Sequence, residues 1–292
     1  MNTLDIPLIK KHVEYASCMN ELTPAHFAEY CRLFIDLKAG KIDVHDFMTQ
    51  MTCVLLDIRV PYAYKITDAR IKEAIESNMA AIMETLGWLL VERVEDYTAH
   101  IEPNIDFARN LMPRIGKYKG PDDALQNITL AEFRDAIGHS ADFARTNDEH
   151  SLDMLCATLY RPVDPLWYER RMHDDWNGDI RKKYNAAKTE AAAKEIHKLP
   201  LHLRFGAYLF FNASMNFIRT GTVQIEGKDV SFAVLWEGGN DTPGIGMAGV
   251  LFSLAETGVF GTLKEVERVN LYEGLARLYQ VVIQTPKPEK KL

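Results

Sequence analysis

Several stretches of this 292-residue sequence hold side chains of the types, and near the spacings, that chemistry uses. Gly244-Ile245-Gly246-Met247-Ala248-Gly249 spells GxGxxG, a pattern whose glycines let a backbone approach a dinucleotide pyrophosphate. That use requires a strand directly before the motif and a helix opening on it. Here the strand read from the sequence ends near Trp236, residues 237–243 intervene, and Glu265 and Glu267 downstream read as helical. A tight turn and close helix packing account for the glycines, and no cofactor is expected. Arg134 and His139, and again Arg145 and His150, show an Arg-x4-His spacing. An arginine to hold phosphate and a histidine for proton transfer would suffice for phosphodiester cleavage; the competing reading makes them surface residues of a helix and its turn. His173, Asp174 and Asp175 are metal-ligating types, but neighbours on a helix point apart. His197 and His202 straddle Pro200, so no metal site is expected, and His100 with Glu102 on one strand face implies no catalysis.

The densest cluster is Trp167-Tyr168-Glu169-Arg170-Arg171-Met172-His173-Asp174-Asp175-Trp176. Such a mixture can stack bases or anchor a protein partner. The alternative is an amphipathic segment whose tryptophans cover the core. Trp167, Tyr168, Arg170, Arg171 and Trp176 are the candidate partner-binding residues, because their segment occurs in only one of two copies of an apparent repeat.

Three blocks carry that repeat in the same order. Leu22-Thr23-Pro24-Ala25-His26-Phe27 returns as Ile128-Thr129-Leu130-Ala131-Glu132-Phe133. Cys53-Val54-Leu55-Leu56, leading to Pro61, returns as Cys156-Ala157-Thr158-Leu159, leading to Pro162. Ile101-Glu102 with Ile105-Asp106-Phe107-Ala108 returns as Ile225-Glu226 with Val230-Ser231-Phe232-Ala233. The recurring residues are apolar and turn positions, which describes architecture and not chemistry.

The elements implied are mainly helical. Phe27, Tyr30, Cys31, Phe34 and Ile35 follow helical spacing after a Thr-Pro start, and Gly40 ends that helix. A second helix from Asp43 buries Phe47, Met51, Val54, Leu55 and Ile58 before Pro61. The second copy repeats the pair with Phe133, Ile137 and Phe143, then Leu152, Leu155, Cys156 and Leu159. A long helix follows from residue 67 or 68 to about Val94, and its equivalent spans about 201–218. Each leads into a short hairpin, Ala99–Glu102 with Ile105–Ala108, and Thr222–Glu226 with Val230–Val234. Between Asp164 and Leu199 the second copy carries an insertion ending in an alanine-rich, oppositely charged helix that needs little burial and is expected to project. The expected organisation is an N-terminal helix over 1–19, module one over 20–116, a linker over 117–127 and module two over 128–237 with its insertion at 164–199. A C-terminal segment, 238–292, adds helices near 245–256 and 262–284 and a frayed tail. The fold class is α+β, predominantly α-helical, with an internally duplicated module of helical hairpin, long helix and short β-hairpin.

Composition narrows the function. Hydrophobic residues at 47% and charged residues at 26% are globular values. The net charge of −7 opposes a general nucleic-acid footprint, which normally carries positive excess. The N-terminus lacks a signal pattern, and no apolar run approaches the length of a membrane span. Cys18, Cys31, Cys53 and Cys156 lack paired spacing, and Cys53 and Cys156 read as small buried hydrophobes in a reducing cytoplasm.

Asn110-Leu111-Met112-Pro113 and Gly120-Pro121-Asp122-Asp123-Ala124-Leu125-Gln126-Asn127-Ile128-Thr129 begin a series of phrases that continues through Leu159-Tyr160-Arg161-Pro162, Leu199-Pro200-Leu201 and Phe210-Phe211. Gly249-Val250-Leu251-Phe252-Ser253-Leu254-Ala255-Glu256 and Gly258-Val259-Phe260-Gly261 extend it. In these the chain resembles proteins from the tail and virion-assembly gene region of tailed bacteriophages. The resemblance covers about residues 100–284 and carries no catalytic residues across. It implies a non-enzymatic structural or assembly protein, a tail assembly chaperone-like factor or a virion adaptor, with other phage structural proteins as partners. Its place would be the host-cell cytoplasm or the virion, with neither membrane nor nucleic acid expected as partner. The Arg-x4-His spacings resemble helical ribonucleases of the HEPN type, which supplies the alternative of a nucleic-acid-processing enzyme.

Overall fold

Thr23 and Pro24 open the first helix as their types dictate. The Thr23 hydroxyl accepts a hydrogen bond from the His26 N–H at 3.1 Å, and Pro24 occupies a first-turn position where its missing N–H costs nothing. In the computed structural model, residues 1–6, 11–58, 69–173, 176–225, 227–235, 254–256 and 258–284 are described. The first helix, α1 (Pro24–Lys38), buries Phe27, Tyr30, Cys31, Leu33 and Phe34 and gives way to Gly40, whose φ of 67° reverses the chain. Capped by Asp43, α2 (Val44–Leu56) packs against it. It ends before the expected proline stop, at left-handed Asp57, and leaves Ile58 exposed and not in the core. Arg59 to Asp68, Pro61 among them, lie outside the described residues.

The expected N-terminal helix is instead an antiparallel pair, β1 (Asn2–Ile6) with β2 (Lys11–Tyr15), followed by a 3-10 turn at Met19–Glu21. The reason is a period of two: Val13 and Tyr15 are buried while His12 and Glu14, which alternate with them, are exposed.

The third helix, α3 (Ala69–Glu84), stops well short of Val94. Residues beyond Leu89 form β3 (Leu90–Glu95), paired antiparallel with β4 (Thr98–Pro103) around Asp96-Tyr97. The expected strand Ile105–Ala108 is therefore not a strand, and Pro103-Asn104 is not the turn. Buried Tyr30 explains the shift. Its hydroxyl donates to the Leu89 carbonyl at 2.9 Å and accepts from the Asn104 N–H at 3.2 Å, so residues 89 and 104 form the hairpin base.

The expected linker, 117–127, is part of the core. Here β5 (Arg114–Ile115), β6 (Tyr118–Lys119) and β7 (Arg161–Pro162) form one small sheet that ties the first half to the second. Gly120 follows, where a Cβ would lie 2.5 Å from the Tyr160 ring. Ala124 and Leu125 are buried with φ of 49° and 63°.

In the second half, α4 (Leu130–Thr146) starts with a full capping box, Thr129 and Glu132 exchanging bonds with each other's backbone N–H. It is followed by α5 (Glu149–Leu159), α6 (Trp167–Arg170), α7 (Ala186–Ile196) and α8 (Leu201–Thr220). The alanine-rich α7 does not project. It packs along α5 and buries Thr189, Ala193 and Ile196, because small side chains let the two helices approach. The second hairpin is β8 (Val223–Ile225) with β9 (Lys228–Val230), turning at Gly227. Its return strand thus ends where the sequence suggested it would begin, and Phe232–Leu235 is a 3-10 turn with Phe232 buried.

The third repeat block is out of register between the halves. Ile101-Glu102 lies on the second strand of its hairpin, while Ile225 lies on the first strand of its own. The helix expected over 262–284 is two, α9 (Leu263–Val266) and α10 (Leu271–Gln284). The break serves α4: Glu267 and Val269 carbonyls accept from Ala131 and Leu130, filling its first-turn donors. The GxGxxG segment and the helix read near 245 lie outside the described residues up to Ser253.

One apolar core runs through both halves. At its centre α8 packs on α1, α4 and α5. A line of rings marks the seam: Phe34 stacks on Phe205 at 6.0 Å, Phe205 lies tilted against Tyr208 at 5.7 Å, and Tyr208 meets Phe143 edge-on at 4.9 Å. Among the described residues no helix is long and apolar enough to cross a membrane.

Candidate partner-binding surface

The segment between β7 and α7 has almost no regular structure, yet its neck is closed by backbone bonds. Asp164 N–H donates to Ile180 O and Lys182 N–H to Pro162 O, each at 2.9 Å. Arg181 lies beneath this neck, wholly buried. Its guanidinium donates to both Asp179 oxygens (2.7 and 3.0 Å), to Leu159 O (2.6 Å) and to Asn127 O (3.2 Å), and lies 3.5 Å from Glu132. Arg161 closes the ring, donating to Glu132 at 2.5 Å and Asp179 at 3.2 Å, as well as to Thr158 O and Lys182 O. Glu132 spends its other oxygen on the Thr129 cap.

Two guanidiniums thus face two carboxylates, and each of their six nitrogens donates to an acceptor. Burial pulls the Arg181 guanidinium toward neutrality, but Glu132 and Asp179 outweigh it and its pKa rises. At Arg161 burial wins over the same carboxylates and the shift is downward. Both stay charged, since arginine holds its proton far above neutrality.

A second set, buried at Arg204 and Asp153 and open at its ends, holds the far end of the insertion. Arg204 on α8 donates to Asp153 at 2.6 Å and to Glu149 at 2.8 Å, and Asp153 also meets His197 Nδ1 at 2.7 Å. Its pKa is pulled down by burial but raised overall by those carboxylates.

The structure separates the candidate residues into two groups. Arg170 turns inward: its Nη2 donates to Asp179 O (2.9 Å) and Arg181 O (2.8 Å), and its Nε lies 3.1 Å from the Asp164 carboxylate as an ion pair without hydrogen-bond geometry. Trp176 is half-buried with its ring 5.4 Å from the Arg170 guanidinium. These two brace the loop. Trp167 is also half-buried, with Arg171 5.8 Å from its ring centroid. Tyr168 is 51% exposed, and sequence reasoning missed its apolar neighbours Leu166 (50%) and Met172 (79%). Leu166, Tyr168, Arg171 and Met172 are the exposed side chains around half-buried Trp167 and make up the candidate outward surface. Asp174 and Asp175 lie outside the described residues.

Sequence reasoning also missed the residues that hold this face in place: Glu132, Arg161, Asp179 and Arg181. The capping-box spacing of Thr129 and Glu132 was a usable signal. So was Asp179 two residues from Arg181, which puts both on one side of an extended chain. Nothing in the types alone says that they are buried.

The Arg-x4-His residues are engaged elsewhere. Arg134 donates to Asp135 at 2.7 Å and Glu267 at 2.6 Å. Arg145 pairs with Asp142 at 2.9 Å, and His150 lies 3.4 Å from Glu190. His139 is half-buried, and burial lowers its pKa against the pull of Asp135 and Asp142.

An open cleft of about 430 Å³ beside α1 and α2 is lined by His26, Arg32, Gln50, Cys53, Val54, Asp57 and Ile58. Burial raises the Cys53 thiol pKa, so this is not an activated nucleophile. All four cysteines are free. Among the described residues no three His, Cys, Asp or Glu side chains converge as a metal site would require.

No family model, curated protein or solved structure matches this chain.

Proposed function

We propose that this chain is a non-enzymatic phage structural or assembly protein, tail assembly chaperone-like or a virion adaptor, that works in the host cytoplasm or in the virion through protein–protein contacts. The observation that carries the reading is the outward exposure of Leu166, Tyr168, Arg171 and Met172 above a network of buried, hydrogen-bonded charges. Large apolar side chains exposed together within one short segment are a candidate interaction site. Aromatic and arginine side chains are those that most often dominate interface energies. A face held rigidly also loses little conformational entropy on binding. The same reading includes the internal duplication. Helix pair, helix, hairpin and buried phenylalanine (Phe107, then Phe232) follow in one order in each half once the insertion at 164–199 is set aside as the later addition.

The test is photo-crosslinking from residue 168 or 172 in infected cells, followed by mass spectrometry. Crosslinks to tail or head proteins, lost in a Leu166→Ser, Met172→Ser variant of unchanged thermal stability, are the expected result. Crosslinks to RNA would favour the nuclease reading, and no crosslinks from either position would remove this face from consideration.

A further inference from the structure

The β3–β4 hairpin has two edges, and only one is covered. In a two-residue turn the flanking pair, Glu95 and Thr98, bonds inward, so strict alternation turns the N–H and C=O of Glu92 and Val94 outward on β3, and those of Ala99 and Ile101 outward on β4. On β4 the outward Ile101 carbonyl accepts from Lys38 Nζ at 3.5 Å, and Pro103 has no N–H to offer. The outward groups of β3 have no such cover among the described residues, and Val91 to Glu95 are exposed along the whole strand. An open strand edge is a template for another strand.

We propose that this edge is an interface between two copies of the chain, with β3 pairing antiparallel to β3 of the second copy about a two-fold axis at Val94. A two-fold normal to a sheet pairs residues whose numbers sum to an even value, and the open groups allow an axis at Glu92, Arg93 or Val94. An axis at Arg93 sets two like guanidiniums against each other, and one at Glu92 two like carboxylates, both unfavourable. An axis at Val94 pairs Val94 with its own equivalent and Arg93 with Glu95 of the other copy, twice. It also brings Tyr97 opposite Val91. Thus Val91, Val94 and Tyr97, the exposed large apolar side chains of this hairpin, each gain an apolar mate in one register. Asp96 and Glu92 approach only where the turn leaves the strand plane.

Tyr97 supports the reading independently. It holds a φ of 63°, a conformation costly for any residue but glycine or asparagine, while its side chain is fully exposed and gains nothing within the chain. Tyr30 fixes the hairpin base and so sets where the edge leaves the core.

Sedimentation velocity across a hundredfold dilution centred on about 10 µM tests the proposal. The wild-type chain is expected to pass from monomer to dimer. Arg93→Glu and Glu95→Arg each place like charges opposite one another and are expected to remain monomeric, with circular dichroism confirming the fold. An equimolar mixture of the two variants restores opposite charges in both cross-pairs. The carboxylate introduced at position 93 meets the native Glu95 only within its own variant; across the mixed dimer it meets the guanidinium introduced at position 95, and the native Arg93 meets the native Glu95. The dimer is therefore expected to return. A wild-type chain that stays monomeric, single variants that still dimerise, or a mixture that does not recover the dimer would each overturn the proposal.

Discussion

The loop at 164–184 and the β3–β4 hairpin both leave the helical core, and they are held in opposite ways. The hairpin is regular: a complete ladder from Leu90–Pro103 to Glu95–Thr98, anchored at its base and exposed beyond it. The loop has little regular structure, but it plants Arg181 and Asp179 in the interior and braces them with Arg161, Glu132 and Arg170. Each region also contains, or stands on, a pair of consecutive left-handed residues that are not glycine. Asp96-Tyr97 is at the hairpin tip, and Ala124-Leu125 is in the floor beside Asn127. Regularity and rigidity are therefore separate properties. The hairpin has hydrogen bonds but little burial, so its tip opens at low cost; the loop has burial and charge, so it opens only with the whole core.

The largest effect expected from this contrast comes from Arg181→Ala. It leaves Asp179 and Glu132 buried with one guanidinium between them, and breaking one partner of a buried ion pair costs about 3–5 kcal/mol. The midpoint of urea unfolding should fall accordingly. An unchanged midpoint would mean that the loop is held by its aromatic contacts and not by its charges. An exposed hairpin residue such as Glu95, changed to Ala, should shift the midpoint by less than about 0.5 kcal/mol.

Gly120→Ala comes next. Its Cβ would meet the Tyr160 ring at 2.5 Å, and the ring cannot swing away because its hydroxyl donates to Met112 O at 2.9 Å. Overpacking of this kind costs about 1–3 kcal/mol, readable as a lower melting temperature. If the variant melts as the wild type does, the floor beneath the loop is more pliable than the comparison requires.

These cases mark what the residues made legible. Helix starts were readable because capping is local: Thr23 with Pro24, and Thr129 with Glu132, act within one turn. The helical hairpins and the α+β class followed from the same local pattern. The first β-hairpin was misplaced because Leu86 and Leu90 continue the helical spacing of α3, and because Asp96-Tyr97 lacks the glycine that announces such a turn. The supposed linker and the projecting insertion were misread for one reason. Polar residues that sit in water and polar residues that satisfy each other in the interior have identical types, and only the fold distinguishes them. Of the candidate surface, the tryptophan–arginine cluster was visible; that Arg170 and Trp176 face inward while Leu166 and Met172 face out depended on Arg181, outside that cluster in sequence.

The two left-handed pairs give a smaller and oppositely signed test. Ala124→Gly removes the Cβ that makes a φ of 49° costly, about 1–2 kcal/mol of relief, offset by the larger entropy of glycine in the unfolded chain. A net gain of about 0.5–1 kcal/mol is expected from chemical denaturation. Tyr97→Gly relieves similar strain, but at an exposed tip that opens locally, so its global stability should barely move. Equal gains at both positions would show that the tip is as tightly coupled to the core as the floor is.

The smallest effect concerns pH. His139 lies half-buried on α4, close enough to His150 to feel its charge. Burial holds its pKa below the ordinary 6.5, and the repulsion of His150 adds to this, against the opposing pull of Asp135 and Asp142. As pH falls past about 6.5 the unfolded chain takes up a proton that the folded chain refuses, so stability declines on acidification until the folded pKa is reached, then levels. His26 and His202 shift in the same direction, also by burial, and contribute slopes of the same sign. Urea midpoints at about pH 7.5, 6.5 and 5.5 should therefore fall in that order, and His139→Gln should flatten the decline without abolishing it. A slope identical in the variant would mean that His139 titrates as freely in the folded chain as in the unfolded one.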